Sequence, residues 1–295
     1  MQPSLKEKTV KSICWILIER FGVLAAKLAL GIILARMLTP KDYGLIGMIS
    51  VFFAIAQVFV NSGFNLAYVQ KKEITNKDAN TVFFTNLTIS IAMYWILWIA
   101  APLIADFYDQ PKLIELTRVM GLAVIINAFN IIQVAQVTRN VEFKRKTKVT
   151  LMTTLFSGTG GVIAAYYGLG VWSLVIQALS NQLLSTTGLW ITNKWSPTFQ
   201  FSGKSFKNMF SFGAWIFASS IMRTIFNNIY ILAFGKLFPA AQLGFYIKAK
   251  QIPQLSSQQL SGAVRLVSFP IFSQMQDNKN RLQNGMRKFL RHTLI

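Results

Sequence analysis

Six cations stand inside long apolar runs of this sequence, where a charge facing hydrocarbon costs about 2.5–3.5 kcal/mol at the bilayer centre on insertion scales. Arg20 and Lys27 lie seven residues apart, hence on one face of a first helix; Arg223 is central in a seventh run, and Lys248, Lys250 and Arg265 lie in an eighth. Glu19 is the one acid set clearly within a run. These cations call for a wet, strongly positive interior. Such an interior suits a polyanion such as a diphosphate, whereas a proton or cation antiporter is expected to bury Asp or Glu. A plainer arrangement accounts for part of the set. Lys248 and Lys250 can snorkel to headgroups from near a span end, and Arg20 can pair with Glu19.

Uncharged polar side chains follow the same runs. Ser219, Arg223, Asn227 and Tyr230 are spaced four, four and three apart, one stripe of a helix that either lines a cavity or glues neighbouring helices. In the eighth run Gln251, Gln254, Ser256, Ser257, Gln258, Gln259 and Ser261 surround Pro253, with Gln57, Asn61 and Asn65 as counterparts in the second. A kinked, amide-rich helix is what contact with a hydroxyl-rich glycan requires; the alternative is a re-entrant or interfacial segment. Ser157 to Gly161 with Ala164 and Ala165 form a small-residue face for helix packing. Asn127, Asn130 and Gln133 are too spread around the fourth helix to make a site by themselves.

The elements that must position these groups are membrane helices. Hydrophobic residues make up 53% of the chain and charged ones 14%, with mean hydropathy +0.43. Runs long enough to cross about 30 Å of hydrocarbon, roughly 20 residues, fall at about 12–37, 44–69, 80–105, 113–138, 148–168, 170–192, 208–235 and 242–273. They are too long and continuous for barrel strands. Most of the +20 net charge sits in short loops and alternates steeply between them. This places the N-terminus and the even-numbered connections in the cytoplasm and excludes nucleic acid as the reason for the charge. The first run carries Glu19, Arg20 and Lys27 and no small-residue cleavage site, so it reads as a retained helix. Cys14 is the single cysteine, which rules out an internal disulfide.

Two breaks organise these helices. ARMLTPKDYG (35–44) reads as a turn built on Lys41, Asp42 and the Pro40/Gly44 pair. AFGKLFPAAQLG (233–244) echoes it at an offset of 200, placing Gly44 on Gly244, Gln57 on Ser257 and Asn61 on Ser261. The echo predicts a duplicated membrane bundle. Residues 1–192 read as a six-helix N-terminal bundle, 193–207 as a cytoplasmic linker, and 208–295 as the start of a second bundle, shortened relative to a complete transporter.

Catalytic constellations are missing. His292 is the lone histidine, Asp106 and Asp109 are the one carboxylate pair, and there is no metal-ligand cluster or Gly-rich phosphate loop with its lysine. The chain therefore reads as no enzyme, with no cofactor. The basic stretch from Arg139 to Lys148 reads as positive-inside charge with anionic-lipid contact.

Six segments carry a family resemblance: ARMLTPKDYG, GFNLAYVQKKE (63–73), APLIADFYDQPKL (101–113), GLGVWSLV (168–175), QLGFYIKAKQIP (242–253) and FPIFSQMQD (269–277). Together they resemble the polysaccharide transporters of the multidrug/oligosaccharidyl-lipid/polysaccharide (MOP, MATE-like) exporter superfamily, more closely the Wzx-type flippases of lipopolysaccharide, O-antigen and exopolysaccharide. The resemblance implies an all-α polytopic protein of two bundles around a central cavity, in the bacterial inner membrane. It implies translocation of an undecaprenyl-diphosphate-linked oligosaccharide from the cytoplasmic to the outer leaflet, with membrane lipids and polysaccharide polymerase or ligase partners. Asn227-Asn228 stands where many relatives have an Arg/Asn-x-x-Asp pattern, so this chain lacks that carboxylate. The expected substrate contacts are Arg20, Lys27, Arg223, Lys248, Lys250, Arg265, Asn227, Tyr230, Gln57, Asn61, Gln254 and Gln258. The rival readings are a non-transporting remnant, a cation-coupled drug exporter of the same superfamily, and a membrane polysaccharide polymerase or ligase.

Overall fold

Long apolar runs that must satisfy their backbone internally become helices, and the computed structural model shows seven long ones among its described residues, followed by the start of another. It describes residues 5–251 except 62, 63, 65–67, 69–73, 141 and 194, and of 5–14, 19, 20, 208, 211 and 212 the backbone alone. The helices are α1 (Leu5–Met37), α2 (Pro40–Asn61), α3 (Asn76–Tyr108), α4 (Lys112–Arg139), α5 (Phe143–Tyr166), α6 (Val171–Thr192) and α7 (Gly203–Leu237). Residues 240–251 are again helical, and no strand occurs among the described residues. Most of the expected eighth span, with Arg265, Gln254 and Gln258, lies outside the described residues.

α2, α3, α4, α5 and the Gly213–Leu237 part of α7 are each long and apolar enough to cross a membrane. α1 and α6 also have the length, at 33 and 22 residues, and both carry strongly polar side chains along it. α1 carries Glu19, Arg20, Lys27 and Arg36. α6 carries Gln177, Asn181 and Gln182, which it can hold in the membrane because it packs against α5, α4 and α2.

The turn expected over 35–44 is shorter than its sequence suggests. Pro40 opens α2, and Gly44 is already inside the helix and buried. The break is confined to Leu38 and Thr39. The Asp42 carboxylate accepts from Thr39 N at 2.9 Å and from its hydroxyl at 2.7 Å. Thr75 and Asp78 repeat the device as a full capping box at the start of α3. Thr39-Pro-Lys-Asp42 and Thr75-Asn-Lys-Asp78 are thus one helix-start signal used twice.

α1 packs on α5, α5 on α6 and α4, α4 on α3 and α2, and α7 lies across α2 and α3. The main core joins Met48, Ile49 and Ala56 of α2 to Leu113 and Val124 of α4, Val175 of α6 and Leu243. The small-residue face on α5 packs as expected, with Gly158 against Leu30 of α1 and Gly161 against Gln177 of α6. An aromatic cluster of Phe64, Phe83, Phe129, Trp190, Trp195 and Phe206 fills the other end.

The segment after α6 is pinned rather than loose. Asn80 Nδ2 donates to Thr198 Oγ1 at 2.6 Å, Thr198 N donates back to Asn80 Oδ1 at 3.0 Å, and Ser202 N donates to Thr81 Oγ1 at 3.0 Å. Ser202 then caps α7 through Ser205 N. The helix therefore claims residues 203–207, which the sequence reading gives to the linker.

Candidate functional site

The two echoing breaks meet. A methyl placed on Gly44 would stand 1.7 Å from the carbonyl oxygen of Ala240, and one on Gly244 would stand 1.8 Å from that of Pro40. Pro40 pairs with Ala240, and Gly44 with Gly244, at the offset of 200 found in the sequence. Each glycine meets the residue four before its counterpart, as a local two-fold axis requires. α2 and the 240–251 helix therefore cross backbone to backbone, a contact that any Cβ would prevent. Gly47 lies under Ile247, and Gly235 of α7 faces Tyr108, Leu243 and Met48. With Met48 and Leu243 buried to 1% and 0% exposure, this end is sealed. It is the lysine-poor end of the molecule, where Lys236 Nζ also reaches Asp109 Oδ2 at 3.3 Å.

Beside the crossing, the Lys248 ammonium lies 3.8 Å from the centroid of the Tyr43 ring. This cation–π contact joins the 240–251 helix to α2 and gives the lysine a partner without a carboxylate. Lys250 Nζ donates to the backbone oxygen of Asn227 on α7 at 3.0 Å. Arg223, Asn227 and Tyr230, with Ser219, are all exposed, so the predicted stripe faces open space. The structure thus brings Lys250 to the α7 stripe and Lys248 to α2. Lys27 is exposed on α1, and Asn61 is exposed at the end of α2. The Arg20 side chain lies outside the described residues.

Gln57 is half-buried in a relay across three helices. Asn127 Nδ2 of α4 donates to Gln57 Oε1, and Gln182 Nε2 of α6 donates to Asn127 Oδ1 at 3.1 Å. Asn127 becomes meaningful only through its partners, which is why its position around α4 gave no signal. A turn and a half further on, Asn193 Nδ2 donates to Gln133 Oε1 and to Gln136 Oε1, at 2.8 Å to the latter. The amides of α4 therefore fasten α2 and α6 in register. Asn127→Leu strands one amide on each neighbour. It should lower unfolding stability by about 1–3 kcal/mol, and a double-mutant cycle with Gln182→Leu should give a smaller loss than the sum. Strict additivity in detergent melts would remove the relay from the account.

Arg118, an intramembrane cation outside the six considered above, lies 4.7 Å over the Trp98 ring near the lysine-poor end. Its local partner, an aromatic on the neighbouring helix α3, was invisible to a count of charges. Among the described residues no group of three or more His, Cys, Asp or Glu could hold a metal.

Residues 33–295 match the model of a family described as "Polysaccharide biosynthesis protein". The chain is 25% identical over 286 residues to the teichuronic acid biosynthesis protein TuaB of Bacillus subtilis, covering 96% of this chain and 58% of the relative. It is 23% identical over 287 residues to the succinoglycan biosynthesis transport protein ExoT of Rhizobium meliloti, covering 97% and 58%. It is 24% identical over 293 residues to the lipopolysaccharide biosynthesis protein WzxC of Escherichia coli, covering 97% and 59%. The chain thus spans somewhat over half the length of these relatives. Among solved structures it is similar to an inward-facing multidrug-resistance MATE transporter of the MOP superfamily, with TM-score 0.60 and 12% identity. That match covers 95% of this chain and 66% of the other. The chain shares the fold of that structure.

Proposed function

The chain belongs to the polysaccharide biosynthesis protein family, and we propose that it serves to flip a polyprenyl-diphosphate-linked oligosaccharide from the cytoplasmic to the outer leaflet of the inner membrane. The observation that carries this reading is the placement of polar and apolar contacts along α2, α7 and the 240–251 helix. Apolar packing and the Gly44–Gly244 crossing close the lysine-poor end. Deeper in, Lys250 reaches the backbone oxygen of Asn227 on the helix face that also carries Arg223 and Tyr230, and Asn61 stands exposed at the far end of α2.

In this scheme the lysine-rich end faces the cytoplasm, as the loop charges favour. The diphosphate enters from that side and is held by Arg223 and Lys250, with Arg20, Lys27, Lys248 and Arg265 adding positive potential. Amides on the second and eighth helices, Gln57, Asn61, Gln254 and Gln258, contact the glycan. Two bundles, residues 1–192 and those from 208 onward, rock about the crossing in alternating access. The relatives named for polysaccharide transport and biosynthesis support this substrate class.

The direct test uses cells in which the protein is depleted. Surface polysaccharide should fall while its lipid-linked precursor accumulates in the inner leaflet, scored by inaccessibility to an added impermeant glycosidase. Accumulation of an externally accessible precursor instead would place the protein after translocation and overturn the proposal.

A further inference from the structure

The first residues of α5 carry more positive charge than a helix N-terminus sustains alone. Lys144, Arg145, Lys146 and Lys148 fall within its first six residues, and the first turn holds no acid. The N-terminus is also the positive end of the helix dipole, where cations are disfavoured and anions are bound. Glu142 precedes the helix but gives no side-chain cap; its carboxylate instead lies 2.7 Å from Arg145 Nη1. Around these groups lies an open surface pocket of about 390 Å³ lined by Glu142, Lys144, Arg145 and Lys148. The lining itself holds three cations and one carboxylate, a local charge of +2 at the start of the helix.

α1 forms the other side of this feature. The Lys144 ammonium stands 5.6 Å from the centroid of the Trp15 ring, and Thr147 Oγ1 donates to the Trp15 carbonyl at 3.1 Å. Trp15 is an amphipathic ring of the kind that settles at headgroup level. α5 packs on α1, α6 and α4, whereas α7 packs on α2 and α3. The pocket thus lies on a helix pair, α1 and α5, that does not pack on α7.

We infer that this pocket is a binding site for the phosphate headgroup of an anionic phospholipid of the leaflet at the lysine-rich end. Lys144, Arg145 and Lys148 supply the charge, the α5 dipole adds to it, and the Trp15 ring marks the boundary with the acyl chains. A bulk lipid is favoured over cargo because the pocket's two helices, α1 and α5, do not pack on α7, and over a soluble anion by the tryptophan.

The test is native mass spectrometry of the protein from nanodiscs of phosphatidylcholine with phosphatidylglycerol. The protein should retain phosphatidylglycerol, and Lys144→Gln/Arg145→Gln/Lys148→Gln should lose it, with retention falling about fivefold per cation removed. Lys204→Gln/Lys207→Gln, which removes charge at the start of α7, should retain it fully. Lys148→Gln alone leaves the Trp15 stack and the Glu142 pair in place and should still show the single-cation loss, so misfolding of the triple variant does not shield the inference. Equal retention by wild type and Lys148→Gln would overturn it, as would equal loss from the α7 variant. Displacement of the lipid by millimolar inorganic phosphate would assign the site to soluble anions instead.

Discussion

Under the proposed function, Gly44→Ala is expected to abolish polysaccharide export while the protein remains in the membrane, and Gly244→Ala to do the same. The added methyl would sit 1.7 Å from the Ala240 oxygen in the first case and 1.8 Å from the Pro40 oxygen in the second. A carbon needs about 3.5 Å, and both obstacles are backbone, so no rotamer change relieves the contact. The helices must separate by about 1.5 Å or more, which exceeds ordinary overpacking at about 1–3 kcal/mol. The state sealed at the lysine-poor end is then lost from the cycle. A cysteine at Leu243, in a Cys14→Ser background, reports this independently of transport. It should resist an impermeant maleimide in the parent, where Leu243 is 0% exposed, and react in the Gly44→Ala background. Gly160→Ala is the control, because nothing lies within 4 Å of a methyl there. Normal export with an unreactive cysteine in the Gly44→Ala protein would remove the crossing from the mechanism.

That crossing marks both the reach and the limit of the sequence. The offset of 200 between the two breaks was legible, because the same residue types recur at it. Their meeting was not, since the contact depends on how α7 returns the chain across α2. Gly44 read as a turn former because Pro40 and Asp42 precede it, whereas those residues are the start of a helix and the glycine serves the crossing. The seven described helices stand where apolar runs are expected, because twenty apolar residues admit one structure in lipid, but α1 begins at Leu5 rather than 12 and α2 ends at Asn61 rather than 69. The α4 amides were missed for a related reason. Periodicity on a single helix locates a face, but Asn127 acquires its role from Gln57 and Gln182, 70 and 55 residues away in the chain. Lys248 and Tyr43 likewise join segments that no local pattern connects.

Arg223→Ala is expected to reduce export to background, with the lipid-linked precursor accumulating and the protein still present in the membrane. Arg223 is exposed on α7, one turn before Asn227, whose backbone oxygen receives Lys250 at 3.0 Å. In the proposed function these two cations meet the diphosphate from adjacent helices, and the guanidinium offers paired donors that an ammonium lacks. Arg223→Lys should therefore retain part of the activity, reduced about tenfold if one charge-assisted hydrogen bond of about 1.5 kcal/mol is lost. A role limited to packing or orientation predicts a different order. Lysine would then substitute fully, since it keeps both the charge and a long apolar stem. Lys236→Ala separates general loss of positive charge from loss at this position. Lys236 pairs with Asp109 at the sealed end with both groups substantially exposed, a class of ion pair worth about 0–1 kcal/mol, so export should be nearly unchanged. Export at wild-type level by Arg223→Ala, at equal protein abundance, would take the diphosphate away from α7 and leave the cations of α1 to account for it.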